Sequence, residues 1–342
     1  MSPTRPSPFE RDIAGQPKAL RAFAHADPRP VLAELTELGA SGHDRIVLTG
    51  MGSSHDAALP TWRRLTSHGR AAWWTDTGQL LDTPGLVTDR TLLIATSQSG
   101  ASGEVVSLLE TDPRPATLVA VTNDVGSPLA AASDVVVPVH SGDEATVSTK
   151  SYLNSLAAHD LVAAALTRTA LGDILAVAQA VEEFDGASAL MPLAQEFITA
   201  ANPRLAYVGF ADHAATARYA GLITKEGAKV AAEGFIGGQF RHGPLELAGP
   251  GLVAVLFGSG DPGANSSLRR LGTDLIDAGS TVIAVARLDV PGTSLQFTPP
   301  RGSIAPLAYG AVVAQHLTVA LARARGITSG EFRFGSKVTT EL

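Results

Sequence analysis

The chain contains no cysteine. Disulfides, a thiolate nucleophile and cysteine metal sites are excluded, and a reducing compartment such as the cytoplasm is the expected setting. It also lacks an uninterrupted apolar run of about eighteen residues, the length that spans a bilayer. The opening MSPTRPSPFERDIAGQP has no apolar stretch of the kind a secretory signal carries. No membrane partner is expected. Positive charge is scarce as well: 26 Lys and Arg stand against 33 Asp and Glu, a formal net charge of −7, with a pI near 5.7. A field of that sign repels phosphate backbones, so nucleic acid is not an expected partner. A bound anion would have to be held by local N–H groups, hydroxyls or a few cations. Histidines such as His25, His68 and His159 show no ligand spacing, and no metal is expected.

What is present is core material. Of 342 residues, 45% are apolar and 17% charged, which excludes global disorder and suggests about two domains. A stretch read as helical, PKALRAFAHADPRPVLAELTEL, is interrupted by Pro28 and Pro30. From Arg45 onward short β-branched runs (RIVLTG, TLLIATS, TLVAVTN, VVVPVH) alternate with Ala-rich stretches, Tyr152 to Leu171 among them. Continuous apolar strands separated by helices predict an α/β fold with a parallel sheet covered on both faces.

The pattern then recurs. RIVLTGMGSSHDAA is echoed by RLAYVGFADHAATA, TLLIATSQSGAS by GLVAVLFGSGDPGAN, and TLVAVTND by TVIAVARLD, in the same order. The offsets are nearly constant: 159 residues from Gly50 to Gly209, 160 from Gly100 to Gly260, and 164 from Val119 to Ile283. Two α/β halves are expected, dividing near residues 190 to 203. The second half has Gly and Asp where the first has Ser, which marks the first as the anion-binding one.

In TLLIATSQSGASGEVVSLLE a buried strand runs through Ser97, Gln98, Ser99, Gly100, Ala101 and Ser102 into a helix. Several hydroxyls at a helix N-terminus suit a phosphate, and Gly100 would let the backbone come close. Plain N-capping is the alternative and needs only one hydroxyl. The earlier turn Gly50-Met51-Gly52-Ser53-Ser54-His55 has the same setting, so Ser53 and Ser54 join the candidate site. Its rival is a dinucleotide fingerprint with Asp76 on a ribose, in which His55 stands where the third Gly belongs.

Downstream, ARYAGLITKEGAKVAAEGF reads as one helical stripe of Tyr219, Leu222, Ile223, Glu226, Val230 and Glu233. A carboxylate on an apolar stripe can act as a general base; pairing of Glu226 with Lys225 or Lys229 is the alternative. Gly227 and Gly234 hint at close packing. A glycine-flanked loop, Gly237-Gly238-Gln239-Phe240-Arg241-His242-Gly243-Pro244, then presents an imidazole suited to moving protons near neutral pH.

These residues resemble the SIS (sugar isomerase) domain family, and within it the isomerase half of glutamine–fructose-6-phosphate aminotransferases. FERDIAGQPKALR, GMGSSH, SQSGAS, VTNDVGSPLA, EATVSTKSY, KEGAKVAAEGFIGGQFRHGP and SKVTTEL are similar to the family's blocks in order. The resemblance implies two tandem flavodoxin-like SIS domains with parallel sheets covered by helices. Residues 1–44 would be a helical lead-in, 45–195 the phosphate-binding domain, 196–330 the domain carrying Glu226 and His242, and 331–342 a tail returning to the active site. It implies that Ser54, Ser97, Gln98, Ser99 and Ser102 hold a sugar phosphate, with Ser53, Ser148 and Glu233 near the sugar. Glu226 would transfer the proton, His242 would open the ring from a neighbouring subunit, and Lys337 would serve as a cation or imine former. A homodimer with shared active sites follows, and no cofactor.

The sequence departs from the family pattern at Ala101 (usually Glu), Ser102 (usually Thr) and Ile223 (usually Lys). Lys337 directly precedes Val338, one position from its usual place, and in an extended tail such a shift reverses the side chain. Without cysteine there is no N-terminal cysteine nucleophile, so glutamine-dependent synthesis by this chain is not expected. The expected activity is proton transfer between C1 and C2 of a hexose 6-phosphate, with ammonia release from an aminosugar. The alternatives are a fructosamine-6-phosphate deglycase and a non-catalytic phosphosugar sensor.

Overall fold

The computed structural model describes residues 5–258 and 262–339. Gly260, which anchors one of the sequence echoes, and the last three residues of the tail lie outside them. The chain forms two compact units. Of the described residues, the first comprises 15–144, 150–178 and 334–339, and the second 5–14, 145–149, 179–258 and 262–333.

The first unit is built on β1 (Arg45–Gly50), β2 (Ala72–Trp74), β3 (Thr91–Thr96), β4 (Thr117–Thr122) and β5 (Val135–Pro138). They pair in parallel in the order β2-β1-β3-β4-β5. Successive side chains of a strand point to opposite faces, and here both faces are buried. Ile46, Leu48, Leu92, Ile94, Val119 and Val121 pack on one side with Leu35, Val162 and Leu166. Val47, Leu93, Ala95 and Ala120 pack on the other with Leu80, Val105 and Leu129. The helix Lys150–Thr167 is buried from Ser151 to Leu166, which is why its sequence shows no polar stripe.

The second unit repeats this plan with β6 (Arg204–Gly209), β7 (Ala232–Ile236), β8 (Leu252–Phe257), β9 (Thr281–Val285) and β10 (Leu295–Phe297). The order β10-β9-β8-β6-β7, all parallel, is that of the first sheet read from the other edge. In both sheets the crossover direction reverses beside the unit's first strand, between β1 and β3 and between β6 and β8. That reversal opens a crevice at the strands' carboxyl ends. Gly50 and Gly209 mark the same point: an added Cβ would lie 2.7 Å from the Thr96 carbonyl oxygen and 2.0 Å from the His213 carbonyl oxygen, respectively. Two residues later the chain takes positive φ in both, at Gly52 (φ 52°) and Ala211 (φ 53°).

The break expected in the lead-in is present, and one reading of apolar length needs adjusting. The prolines of the lead-in separate two helices, Pro8–His25 and Arg29–Ala40, because Pro28 and Pro30 sit at the start of the second, where a missing N–H costs nothing. The helix Ala305–Ala324 is long and apolar enough to cross a membrane. Yet most of its residues are buried inside the protein, which makes it a core helix.

Candidate functional site

The Ser-rich loop leaves the end of β3 between β1 and β4, at the switch point of the first sheet. Ser97 N–H donates to the Val121 carbonyl (3.0 Å), and Asn123 N–H donates to the Gln98 carbonyl (3.2 Å), so the turn is strung onto the end of β4. Inside the turn, Gly100 N–H donates to Ser97 Oγ (3.1 Å) and Ala101 N–H to Ser99 Oγ (3.3 Å). Gly100 has φ 60°, and an added Cβ would sit 2.0 Å from Ser127 Oγ. Its reason for being glycine is therefore this conformation and the neighbouring Ser127.

Ser102 occupies the N-cap of helix Gly103–Leu109 with extended backbone, but its side chain makes no cap bond. Capping, the ordinary use of serine there, is not taken up, and the hydroxyl is left for another partner. Ser127 shows the contrast: it caps Pro128–Ala132 by accepting from Ala130 N–H. Ser53 and Ser54 lie half-buried in the first turn of Gly52–Ser67, at the end of β1 next to β3.

The residues of the dinucleotide rival have other tasks. Asp76 caps Thr77–Asp82 by accepting from Gln79 N–H (3.0 Å). His55 is buried and stacked on Trp74, ring centroids 4.0 Å apart and planes 6° from parallel. Gly50 accommodates strand-to-helix packing.

The tail enters the same unit. Thr339 accepts at its carbonyl from Gly103 N–H (3.0 Å), directly after the Ser loop. Lys337 Nζ lies 2.5 Å from Oε2 of Glu144, a carboxylate with a fully buried side chain. Glu144 also accepts from Ser151 Oγ (2.6 Å) and Ser151 N–H (3.1 Å) at the start of Lys150–Thr167. Asn123 braces the preceding loop, accepting from Ser141 N–H (2.7 Å) and donating to the Gly142 carbonyl (3.2 Å). Glu144 and Asn123 were not among the expected site residues. Their partners lie 193 and 18 residues away, beyond any local pattern.

Glu226, Glu233, His242 and Ser148 belong to the second unit. The predicted helical stripe is corrected: the helix runs only from His213 to Ala228 and closes on Lys229 in the left-handed conformation, φ 55°. Glu233 is an exposed residue of β7, paired in register with Ala206, and Val230 lies between the two elements. The close packing expected at the glycines is present. Gly234 faces the Ala217 carbonyl (2.2 Å from an added Cβ) and Gly227 faces Thr318 (2.5 Å). Glu226 is half-buried in the last turn, and Lys229 Nζ donates to its carbonyl oxygen. Burial pushes the Lys229 ammonium pKa down from its ordinary value. Ser148 accepts at its carbonyl from Tyr219 Oη (2.7 Å), which in turn accepts from Gln315 Nε2 (2.9 Å). His242 is exposed just beyond the 3₁₀ turn Gly237–Arg241, in a stretch that also exposes Ile236 and Leu247. Among the described residues no three His, Asp or Glu side chains gather as a metal site would require.

The SIS domain family matches residues 41–165. A glutamine–fructose-6-phosphate aminotransferase from Pyrococcus horikoshii is 28% identical over 257 residues, 72% of this chain and 42% of that protein. The chain thus spans about two fifths of the length of this curated relative. The C-terminal domain of glucosamine-fructose-6-phosphate aminotransferase from Francisella tularensis superposes with a TM-score of 0.82 at 16% identity, over 97% of this chain and 100% of that one. A glucosamine-6-phosphate deaminase from Thermotoga maritima superposes with a TM-score of 0.73 at 19% identity, over 98% and 100%. At such identities the superpositions show a shared fold.

Proposed function

We propose, from the match of residues 41–165 to the SIS domain family, that the protein is a phosphosugar enzyme that deaminates a 2-amino-2-deoxyhexose 6-phosphate. One observation carries the reading: Ser102 stands in capping position with its hydroxyl unspent, in a loop of hydroxyls at the sheet's switch point. Ser54, Ser97, Gln98, Ser99 and Ser102 take the phosphate, and Ser53, Ser148 and Glu233 meet the sugar. His242, supplied by a second copy in a homodimer, opens the ring, and Glu226 moves the proton between C2 and C1. Proton loss from C2 and delivery to C1 turn the aminosugar into a C2 imine. Water adds to that carbon, the C–N bond breaks, and ammonia leaves with fructose 6-phosphate as the other product.

Lys337 acts in this reading as a cation. Its Nζ is engaged by Glu144, and an imine would require that nitrogen to leave its partner. No cofactor is required, because the substrate's own carbonyl accepts the electron pair. A plain aldose–ketose isomerase would use the same base and ring-opening group.

Incubation with glucosamine 6-phosphate, with ammonia and fructose 6-phosphate assayed together, tests the proposal. Equal amounts of both are expected. Ketose from plain aldose 6-phosphates with no reaction of the aminosugar would refute deamination and leave the isomerase.

A further inference from the structure

The second sheet has its own crevice, and its chemistry differs from that of the first. A cavity of about 520 Å³ is lined by Phe210, Gly237, Gly238, Arg241, Ser267 and Arg270. Topology places all of them at one edge. Phe210 follows β6, Gly237 and Gly238 follow β7, and Ser267 and Arg270 lie on Pro262–Asp277, the helix after β8. Because β6 lies between β7 and β8, residues that follow β6 and β7 meet the helix after β8 here, beside the switch point of the second sheet.

The lining suits an anion. Ser267 and Arg270 are three residues apart on one helix and so share a face, offering a hydroxyl and an exposed guanidinium together. Arg241 gives one N–H to Asp274 Oδ2 (2.7 Å), a contact that fixes the guanidinium while leaving its other N–H groups available. Asp274 balances one of the two guanidinium charges. Gly237 is glycine for packing, since an added Cβ would lie 2.6 Å from Phe210, but Gly238 faces open space. Planar guanidinium forks match phosphate oxygens in pairs. In a chain of net charge −7, two arginines and a hydroxyl in one concavity are the kind of local site an anion requires. The volume exceeds that of a phosphate ion and falls in the range of small-metabolite pockets.

We propose that this cavity is a second anion site, which takes a small phosphomonoester in the second unit. The halves then differ in how they hold an anion, by hydroxyls in one and by guanidinium groups in the other. This site does not depend on the reading of the Ser loop.

Calorimetry with glucose 6-phosphate and inorganic phosphate at low ionic strength, on the full chain, tests it. Glucose is the control, and the variants are Arg270→Gln and a Ser99→Ala/Ser102→Ala pair. The wild type is expected to bind two phosphomonoesters per chain, and the serine variant one. Adding Arg270→Gln to the serine variant should weaken that remaining site by about tenfold or more, the effect of losing a charged hydrogen-bond donor. Arg270 is exposed, so its loss leaves folding intact. A single wild-type site that the serine substitutions abolish would overturn the proposal. So would affinities that Arg270→Gln leaves unchanged, or glucose binding as well as its phosphate. Two sites of which only Arg270→Gln removes one would uphold it while the Ser-loop assignment failed.

Discussion

Lys337 Nζ and Glu144 Oε2 lie 2.5 Å apart, joining a residue near the C-terminus to a carboxylate with a fully buried side chain. Ser151 also donates to that carboxylate, through its N–H and its hydroxyl. Removing Lys337 leaves a buried charge short of a partner. Lys337→Met should therefore lower stability by about 3 kcal/mol, the lower end for breaking a buried pair, since the lysine side chain retains 23% exposure. Glu144→Gln keeps an acceptor for Ser151 and should soften the effect of Lys337→Met, with a coupling of at least about 1 kcal/mol. Urea unfolding of the two single variants and the double variant measures this. Additive losses would show that the contact does not couple the tail to the unit.

The two serines at helix starts should separate capping from ligand binding. Ser127→Ala removes a used cap and should cost about 1 kcal/mol of stability. Ser102→Ala removes an unused one, so thermal unfolding should hardly move, while affinity for a hexose 6-phosphate falls by about 1 to 3 kcal/mol. The unphosphorylated sugar should bind alike to both proteins. A Ser102→Ala variant with unchanged phosphosugar affinity would remove Ser102 from the site.

Which features the sequence disclosed follows from the range of the interactions that made them. β1, β3, β4 and β5 were legible because strands covered on both faces leave continuous apolar runs. The turn glycines were legible as turns, but not their reasons: Gly100 answers to Ser127, 27 residues on, and Gly234 to the Ala217 carbonyl of another element. Helical periodicity carried the stripe too far, through Val230 to Glu233. Periodicity alone did not register that Lys229 takes φ 55°, where the helix stops and a half-exposed strand starts. Glu144 was invisible because its role depends on a lysine 193 residues away. Arg241 and Arg270 were overlooked because only the fold around β6 and β8 gathers them.

Two buried histidines, His159 and His213, and the half-buried His316 make stability depend on pH. Burial pushes His159 down to about 3, and His213 and His316 down to about 4, from an ordinary value of 6.5. Each is neutral in the folded protein over a range in which the unfolded chain binds a proton. The unfolded state thus takes up more protons below pH 6.5, and stability falls as pH drops from there toward 4. Each such histidine contributes a slope of up to about 1.4 kcal/mol per pH unit. Above pH 7 these groups should contribute no dependence. Chemical denaturation at pH 7.5, 6 and 5 should show a progressive loss, smaller in a His316→Gln variant. A flat profile across that range would mean that the histidines meet water or a proton acceptor in the fold.

The last prediction concerns Glu226, half-buried in the final turn of His213–Ala228. If this carboxylate carries the proton between C2 and C1, Glu226→Gln retains shape and hydrogen-bonding capacity while removing the basic oxygen. Phosphosugar affinity, which the proposal assigns to the Ser loop, should stay within about twofold, and turnover should fall by roughly 10² to 10⁴. Proton transfer can be followed directly, by deuterium incorporation from solvent at C1 or C2 before any product leaves. In the wild type that exchange should accompany turnover, and in Glu226→Gln both should be lost together. Glu233, exposed on β7 and assigned here to the sugar rather than to the proton, supplies the comparison: Glu233→Gln should weaken sugar binding yet leave exchange in place at saturating substrate, because its carboxylate is on a different element from Glu226. Exchange at the wild-type rate in Glu226→Gln would place the base elsewhere. Loss of exchange in both variants would mean that the two carboxylates act as a pair.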